Sequence, residues 1–465
     1  MEGTPRGMLL VIALVALAHA ALFGIYQRPD WNVAWDDQVG YQRLGHVLAT
    51  TGTFTRYPGE EPFVPETIRT PMYPVFVATV YKIAGESHAA VAAAQAVLFA
   101  LMALAVYAMT ARLATRRVAL AAALFVALFP PIPYYGALVL SDVVCTFFVT
   151  LGMWMAVRAV QDQRPLDYIL TGVFIGLATL TQPRFAMLPI ALAACVSLVA
   201  LRNRNWRAIG RWAWTLTVFA LVLAPWLAYN QIYVHRLTLS PAGGLGRATW
   251  EASWQGTWPG RVQADLTRLV EGHVNDDDAT LDQLVKQFAS ERALAAEPMI
   301  TYAHQWRDIR RIWDTPTDPR ERAVKRIEAD EEYWRAGVAN IARNRVGHAL
   351  RRLTVGAFVV WAAEIPIRYS DINAMPRLVI RGLWLVQVGL LLLAIVGLVM
   401  LAHRRGLMIA APLAALFAYI TAVHLPMLAE ARYSLPAKPV VVALVAIAIA
   451  EILHRALPQT GDYLP

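Results

Sequence analysis

Ten apolar runs, each near the length that crosses a membrane, constrain this chain more than any other feature. They lie at residues 8 to 26, 88 to 110, 118 to 135, 137 to 157, 167 to 182, 185 to 201, 212 to 229, 382 to 402, 407 to 425 and 437 to 453. A helix needs about 20 apolar residues to span the hydrocarbon layer, where every backbone polar group must find its partner inside the element. With 57% of 465 residues hydrophobic and 16% charged, the balance is far too apolar for a soluble protein. The expected fold is all-α and polytopic, with about 10 to 12 transmembrane helices.

Charge distribution orients the spans. The net charge is +9, but the basic residues fall mostly in short connections, as orientation signals do, and nucleic-acid binding is a poor reading. "ARLATRR" (111–117), "RAVQDQRPLD" (158–167), "LRNRNWRAIGR" (201–211), "AHRRG" (402–406) and the tail after His454 are all Arg-bearing and are expected inside. That alternation holds only if two shorter apolar stretches, Pro71 to Ala84 and Leu353 to Ile367, rest in the outer interface without crossing. The first run contains Ala18-His19-Ala20, similar to a signal-peptidase site, yet it is long enough to span uncleaved.

Three regions follow. A membrane core occupies 1–230 and carries a first external loop at 27–87; a large external segment occupies 231–380, with its interfacial stretch at 353–367; further membrane helices occupy 381–465. The two cysteines, Cys145 and Cys195, sit inside apolar runs, so no disulfide framework is indicated. No N-x-Ser/Thr sequon occurs, which fits a bacterial inner-membrane protein. HExxH, Walker A, GxSxG and paired CxxC motifs are all missing. Asp276 to Asp278 read as the acidic start of a helix, "PAGGLGR" (241–247) as loop, and His19 and His424 as structural.

Function is expected on the external face. "NVAWDDQVGYQRLG" (32–45) sets Asp36 beside Asp37 just beyond the first span. A carboxylate at a membrane surface can take a proton from a hydroxyl if burial raises its pKa toward neutrality. In a helix beginning here, Asp37 and Tyr41 share a face while Asp36 is rotated by roughly 100 degrees, so Asp36 is read as a solvated or structural neighbour.

The loop from "DQVGYQRLGHVLATTGTF" to "IRTPMYPVFVATVYKIAG" resembles the first external loop of GT-C glycosyltransferases that take sugars from polyprenyl phosphates. The nearest pattern is that of bacterial relatives of protein O-mannosyltransferases and of the lipid A aminoarabinose transferase. The resemblance puts Asp37 in the place of the family's catalytic Asp, Gln38 where a Glu is usual, Tyr41 at its aromatic and Arg69 where a basic residue faces the donor phosphate. "YGALVLSDVVCTFF" is similar to the family's external Ser-Asp turn, with Ser141 and Asp142; "GLATLTQPRFAMLP" is similar to its basic turn, with Arg184 displaced by a position or two. "APWLAYNQ" resembles the end of the helix before the large loop, and "EARYSLPAKP" supplies Arg432 and Tyr433 of a late Arg-Tyr motif. Residues 250 to 345 resemble nothing in that family.

The resemblance implies an inverting transfer from a polyprenyl-phosphate sugar to a hydroxyl on a lipid, glycan or protein acceptor. Asp37 would be the general base. Arg69, Arg184 and Arg432, with Tyr41, Tyr433, Asp142 and Asp36, would line the donor-phosphate site. Guanidinium groups suit a leaving lipid phosphate because their planar fork holds two oxygens and stays charged. Asp142, taken to lie one turn into its helix, needs a partner there. Gln38 in place of Glu weakens the argument for a metal held by two acids, so no cofactor is indicated, although a divalent metal remains compatible. The competing classes are a transporter or flippase, and a polymerase or ligase, of lipid-linked glycans.

Overall fold

The computed structural model describes residues 6–32, 36–202, 204–314 and 318–456. Hydropathy dictates its plan. Seven segments of 20 to 29 residues are long and apolar enough to cross a membrane. They contain helices α1 (Arg6–Gln27), α4 (His88–Leu113), α7 (Asp142–Asp162), α9 (Leu188–Arg202), α10 (Trp206–Tyr233), α19 (Arg377–Arg405) and α21 (Lys438–Ala456). Three shorter helices, α5 (Arg116–Ala127), α8 (Pro165–Thr181) and α20 (Leu407–Val423), lie between them along the chain.

One boundary differs from the sequence expectation. The run at 118 to 135 is not a single span, because α5 stops at Ala127 ahead of the Pro130-Pro131 pair and a one-turn helix α6 (Pro131–Gly136) follows. Proline cannot donate to the ladder and its ring crowds the preceding turn. Helix α7 consequently starts at Asp142 rather than near Ala137.

Packing follows side-chain size. In α7 and in the Ala431–Arg455 segment, 72% and 78% of the spanning window is buried, against 11% for the first segment and 17% for α19, so the former are central and the latter peripheral. Between α8 and α10 the contact runs through Gly172 and Gly176, four residues apart; a Cβ on Gly172 would meet the Thr215 carbonyl at 2.5 Å. Small residues at this spacing let backbones approach, which is how helices associate where lipid is as apolar as leucine.

One end of the bundle is built from α2 (Asp36–Thr51), α3 (Met72–Ala84) and a helical subdomain of α11 (Leu245–Trp254), α12 (Val262–Gly272), α13 (Asp278–Ser290), α14 (Ala296–Asp314) and α15 (Pro319–Arg343). Its apolar faces close on their own core, which includes Trp250, Leu266, Val285, Tyr302 and Trp306. At ~1.5 Å per residue, the 13-residue α3 covers only about 20 Å. The stretch after α15 is likewise broken, into α16 (Arg345–Arg351), a π-helical turn (Arg352–Gly356) and α17 (Ala357–Ala362), and then reaches α18 (Tyr369–Ile372).

Buried Arg352 fastens this stretch to the end of α20. Its guanidinium donates to the carbonyls of His424 (2.7 Å), Leu425 (3.0 Å) and Met427 (2.6 Å), and to Gln255. Carbonyls at a helix C-terminus have no partner within the helix. Here one cation serves that end, and Gln255 also bonds both backbone groups of Ala429 (2.7 and 3.1 Å).

Candidate active site

Five chain segments bring the candidate side chains to one end of the bundle. Asp37 sits in the first turn of α2, Arg69 just ahead of α3, Asp142 at the start of α7, Arg184 in the 3-10 turn after α8 and Arg432 in the 3-10 turn before α21. Four of the five stand at or just ahead of a helix start, and Arg184 alone follows a helix end.

The Asp37 carboxylate lies between two guanidinium groups. One oxygen accepts from Arg69 Nη2, the other from Arg432 Nη2 at 3.2 Å. Arg432 also donates from Nε to Glu430 at 2.7 Å and stands 4.0 Å from Asp142. The Arg69 guanidinium lies over the Tyr41 ring at 4.8 Å, and the Tyr41 hydroxyl donates to Ser141 Oγ at 3.3 Å. Gln182 donates to both Ser141 Oγ (3.1 Å) and Asp142 (3.3 Å), and accepts from Arg184. Arg184 lies 4.3 Å over Tyr433, which in turn stacks on His424 at 4.9 Å.

Two expectations are corrected. Burial does push the Asp37 carboxyl upward, but Arg69 and Arg432 together outweigh it and hold the group below the usual carboxylate range. The resting carboxylate is therefore ionised and a weak base. Asp142 is not a turn inside its helix: it opens α7, where free backbone N–H groups favour negative charge and Gln182 and Arg432 provide polar company.

Arg184 differs from the other two cations. Among the described residues no carboxylate pairs with it, and its buried Nε has no hydrogen-bond partner. Seven of the eight residues singled out from sequence thus converge: Asp37, Tyr41, Arg69, Asp142, Arg184, Arg432 and Tyr433. The eighth, Asp36, opens α2, and its side chain lies outside the described residues. Gln38 turns inward, accepting from the Val139 amide at 3.0 Å, and so pins the loop ahead of α7.

Sequence reasoning missed four supports. Buried Glu66 accepts the backbone amides of Ile68 (2.7 Å) and Arg69 (3.0 Å) and pairs with Arg56, which fixes the Arg69 turn; its only signal was its place three residues ahead. The Gly-rich loop braces the same turn through Ala242 N to the Thr67 carbonyl (2.8 Å) and Ser240 Oγ to the Ile68 carbonyl (2.6 Å). Gln182 bridges two segments. Behind them, buried Glu364 accepts from the Tyr135 hydroxyl at 3.0 Å. Both Asp37 oxygens are engaged by guanidinium groups, and among the described residues no group of three or more His, Cys, Asp or Glu could hold a metal ion.

The fold and the site define a helical membrane protein that gathers cations around one acid at an interfacial end of its spans. Residues 68–229, which carry Arg69, Asp142 and Arg184, match the profile described as dolichyl-phosphate-mannose-protein mannosyltransferase. The oligosaccharyltransferase AglB of Archaeoglobus fulgidus, in complex with an inhibitory peptide and a dolichol-phosphate, superposes with a TM-score of 0.51 at 15% identity, over 99% of this chain and 52% of AglB. Its apo form gives 0.52 at 15% identity with the same coverage. ArnT from Cupriavidus metallidurans bound to undecaprenyl phosphate gives 0.43 at 14% identity over 98% of this chain and 82% of ArnT. This chain spans about half the length of the archaeal enzyme. No curated protein sequence matches it. Residues 68–229 thus resemble the mannosyltransferase family, and the chain shares its fold with the archaeal oligosaccharyltransferase.

Proposed function

We propose that this protein moves a sugar from a polyprenyl-phosphate donor to an acceptor hydroxyl at the outer face of a bacterial inner membrane, with inversion at the anomeric carbon. The membrane helices of 1–230 and 381–465 hold the donor, and the external segment 231–380 covers the acceptor side. The observation that carries the reading is the Asp37 carboxylate held between Arg69 and Arg432, with Arg184 close by and free of any carboxylate partner among the described residues.

In the single displacement, the acceptor oxygen bonds to the anomeric carbon as the bond from that carbon to the phosphate oxygen breaks. The hydroxyl proton passes to Asp37, and the bonding pair leaves with the lipid phosphate. Charge therefore grows on the phosphate while the carboxylate is neutralised. Arginines already at the site are suited to that redistribution: Arg184 meets the phosphate first, and Arg69 and Arg432 shift from Asp37 toward it. Losing those partners makes Asp37 a better base at the moment it is needed. No second acid is required, because a phosphate leaves without protonation.

The gathering of these charged groups at the ends of helices rather than along their middles supports a transferase over a flippase, whose ionisable groups cluster near the bilayer midplane between repeated halves. The test uses purified protein and synthetic polyprenyl-phosphate sugars. Wild type transfers or hydrolyses one of them, Asp37→Asn binds it but loses about 10²- to 10⁴-fold in turnover, and Asp36→Asn retains measurable turnover. The opposite ranking assigns the base to Asp36; two active variants remove the acid from the mechanism.

A further inference from the structure

A second cluster of cations lies one helical turn along α2 from Asp37, at the junction with the external subdomain. Gly40 faces the Arg56 guanidinium, which a Cβ there would approach to 3.6 Å. Arg56 is paired with Glu66, and that carboxylate is already occupied by two backbone amides as well. Beside it, α15 contributes Arg326, a half-buried guanidinium whose buried Nε has no partner and which pairs with no carboxylate among the described residues. Burial and its neighbours Arg56 and Arg322 hold Arg326 below the usual arginine value, against the opposing pull of Tyr57 and Glu66. Gathering like charges costs free energy, which Glu66 and Tyr57 offset only in part at Arg326.

Aromatic rings flank these cations. Arg326 lies 5.2 Å over Trp313, and Arg43, anchored by its Nε to the Arg56 carbonyl at 2.9 Å, lies 5.7 Å over Tyr57. Guanidinium forks recognise carboxylate and phosphate oxygens in pairs, and half-buried Trp and Tyr rings offer flat apolar faces to a sugar ring. We infer that Arg326 and Arg56, with Trp313 and Tyr57, form the acceptor subsite for an anionic saccharide, one bearing a carboxylate or phosphate next to the hydroxyl that is glycosylated. The inference rests on the glycosyltransferase reading for the word acceptor; the binding itself does not depend on turnover.

The experiment measures binding of trigalacturonate, with maltotriose as the neutral trisaccharide, to full-length protein in phosphatidylcholine nanodiscs by tryptophan fluorescence. Trigalacturonate is expected to bind and maltotriose not, and Arg326→Gln weakens the former about ten-fold, the factor that corresponds to ~1.4 kcal/mol for one lost charge-assisted pair. Arg326→Lys, which keeps the charge but not the fork, weakens it by a smaller factor and carries the test should Arg326→Gln fail to fold. Equal binding of the two trisaccharides, or no effect at Arg326, overturns the subsite. So does Arg326-dependent enrichment of phosphatidylglycerol from mixed phosphatidylcholine–phosphatidylglycerol nanodiscs without trigalacturonate binding, which makes the cluster a lipid-headgroup site. Wild type that discriminates between the trisaccharides but neither transfers nor hydrolyses any polyprenyl-phosphate sugar overturns the proposed reaction and leaves the subsite standing.

Discussion

Arg432 Nη2 donates to Asp37 Oδ2 at 3.2 Å across 395 positions of sequence, joining the turn before the last helix to the first external helix. With Arg69 on the other oxygen, this contact holds the Asp37 carboxyl below the ordinary value near ~3.9. A depressed acid is fully ionised above its ordinary value and is lost as base only when pH falls through the depressed one. The acid limb of kcat/KM for transfer therefore lies below ~pH 4. Arg432→Gln removes one opposing charge while the upward push of burial persists, so the limb moves to higher pH. A pH profile with the same acid limb in both proteins would contradict the pairing as the cause.

Charge alone does not replace the fork. Arg69→Lys and Arg432→Lys each retain a cation but cannot hold two oxygens in one plane, and a charge-assisted hydrogen bond contributes about 1.5–3 kcal/mol. Transfer falls about 10- to 100-fold in each variant, while the thermal midpoint stays close to wild type. Unchanged donor affinity and turnover in both would leave these arginines as ordinary headgroup contacts.

Arg352 reaches no reacting group in this account, yet it sets the course of the chain into Glu430 and Arg432. Arg352→Met strands three carbonyls and Gln255 in a buried junction, at a cost of roughly 1–3 kcal/mol for each group left unsatisfied. The melting temperature in detergent drops by several degrees, and transfer drops with it. Scanning calorimetry showing wild-type stability would refute the clamp.

Topology can be read by labelling. In a Cys145→Ala, Cys195→Ala background, Lys286→Cys reacts with an impermeant maleimide added to intact cells, and His403→Cys reacts only after the membrane is opened. Labelling of the second position from outside would invert the arrangement, and with it the face assigned to the site.

Much of this protein is determined locally. Ten apolar runs, their Arg-bearing short connections and two long segments between them are properties of neighbouring residues, and they specify helices, approximate boundaries and a common side for the helix ends that carry Asp37, Arg69, Asp142, Arg184 and Arg432. Helical spacing alone also puts Tyr41 on the face of Asp37. What hydropathy cannot encode is which of those ends meet, because that depends on how close two helices come, and residues such as Gly172 at the α8–α10 contact decide it. The start of α7 at Asp142 depends on a proline pair whose effect on the preceding run only packing reveals. The protonation of Asp37 is the sharpest case. Burial by itself pushes a carboxyl toward neutrality, and only the tertiary approach of Arg69 and of Arg432, one from each end of the chain, turns that push into a depressed, fully ionised acid.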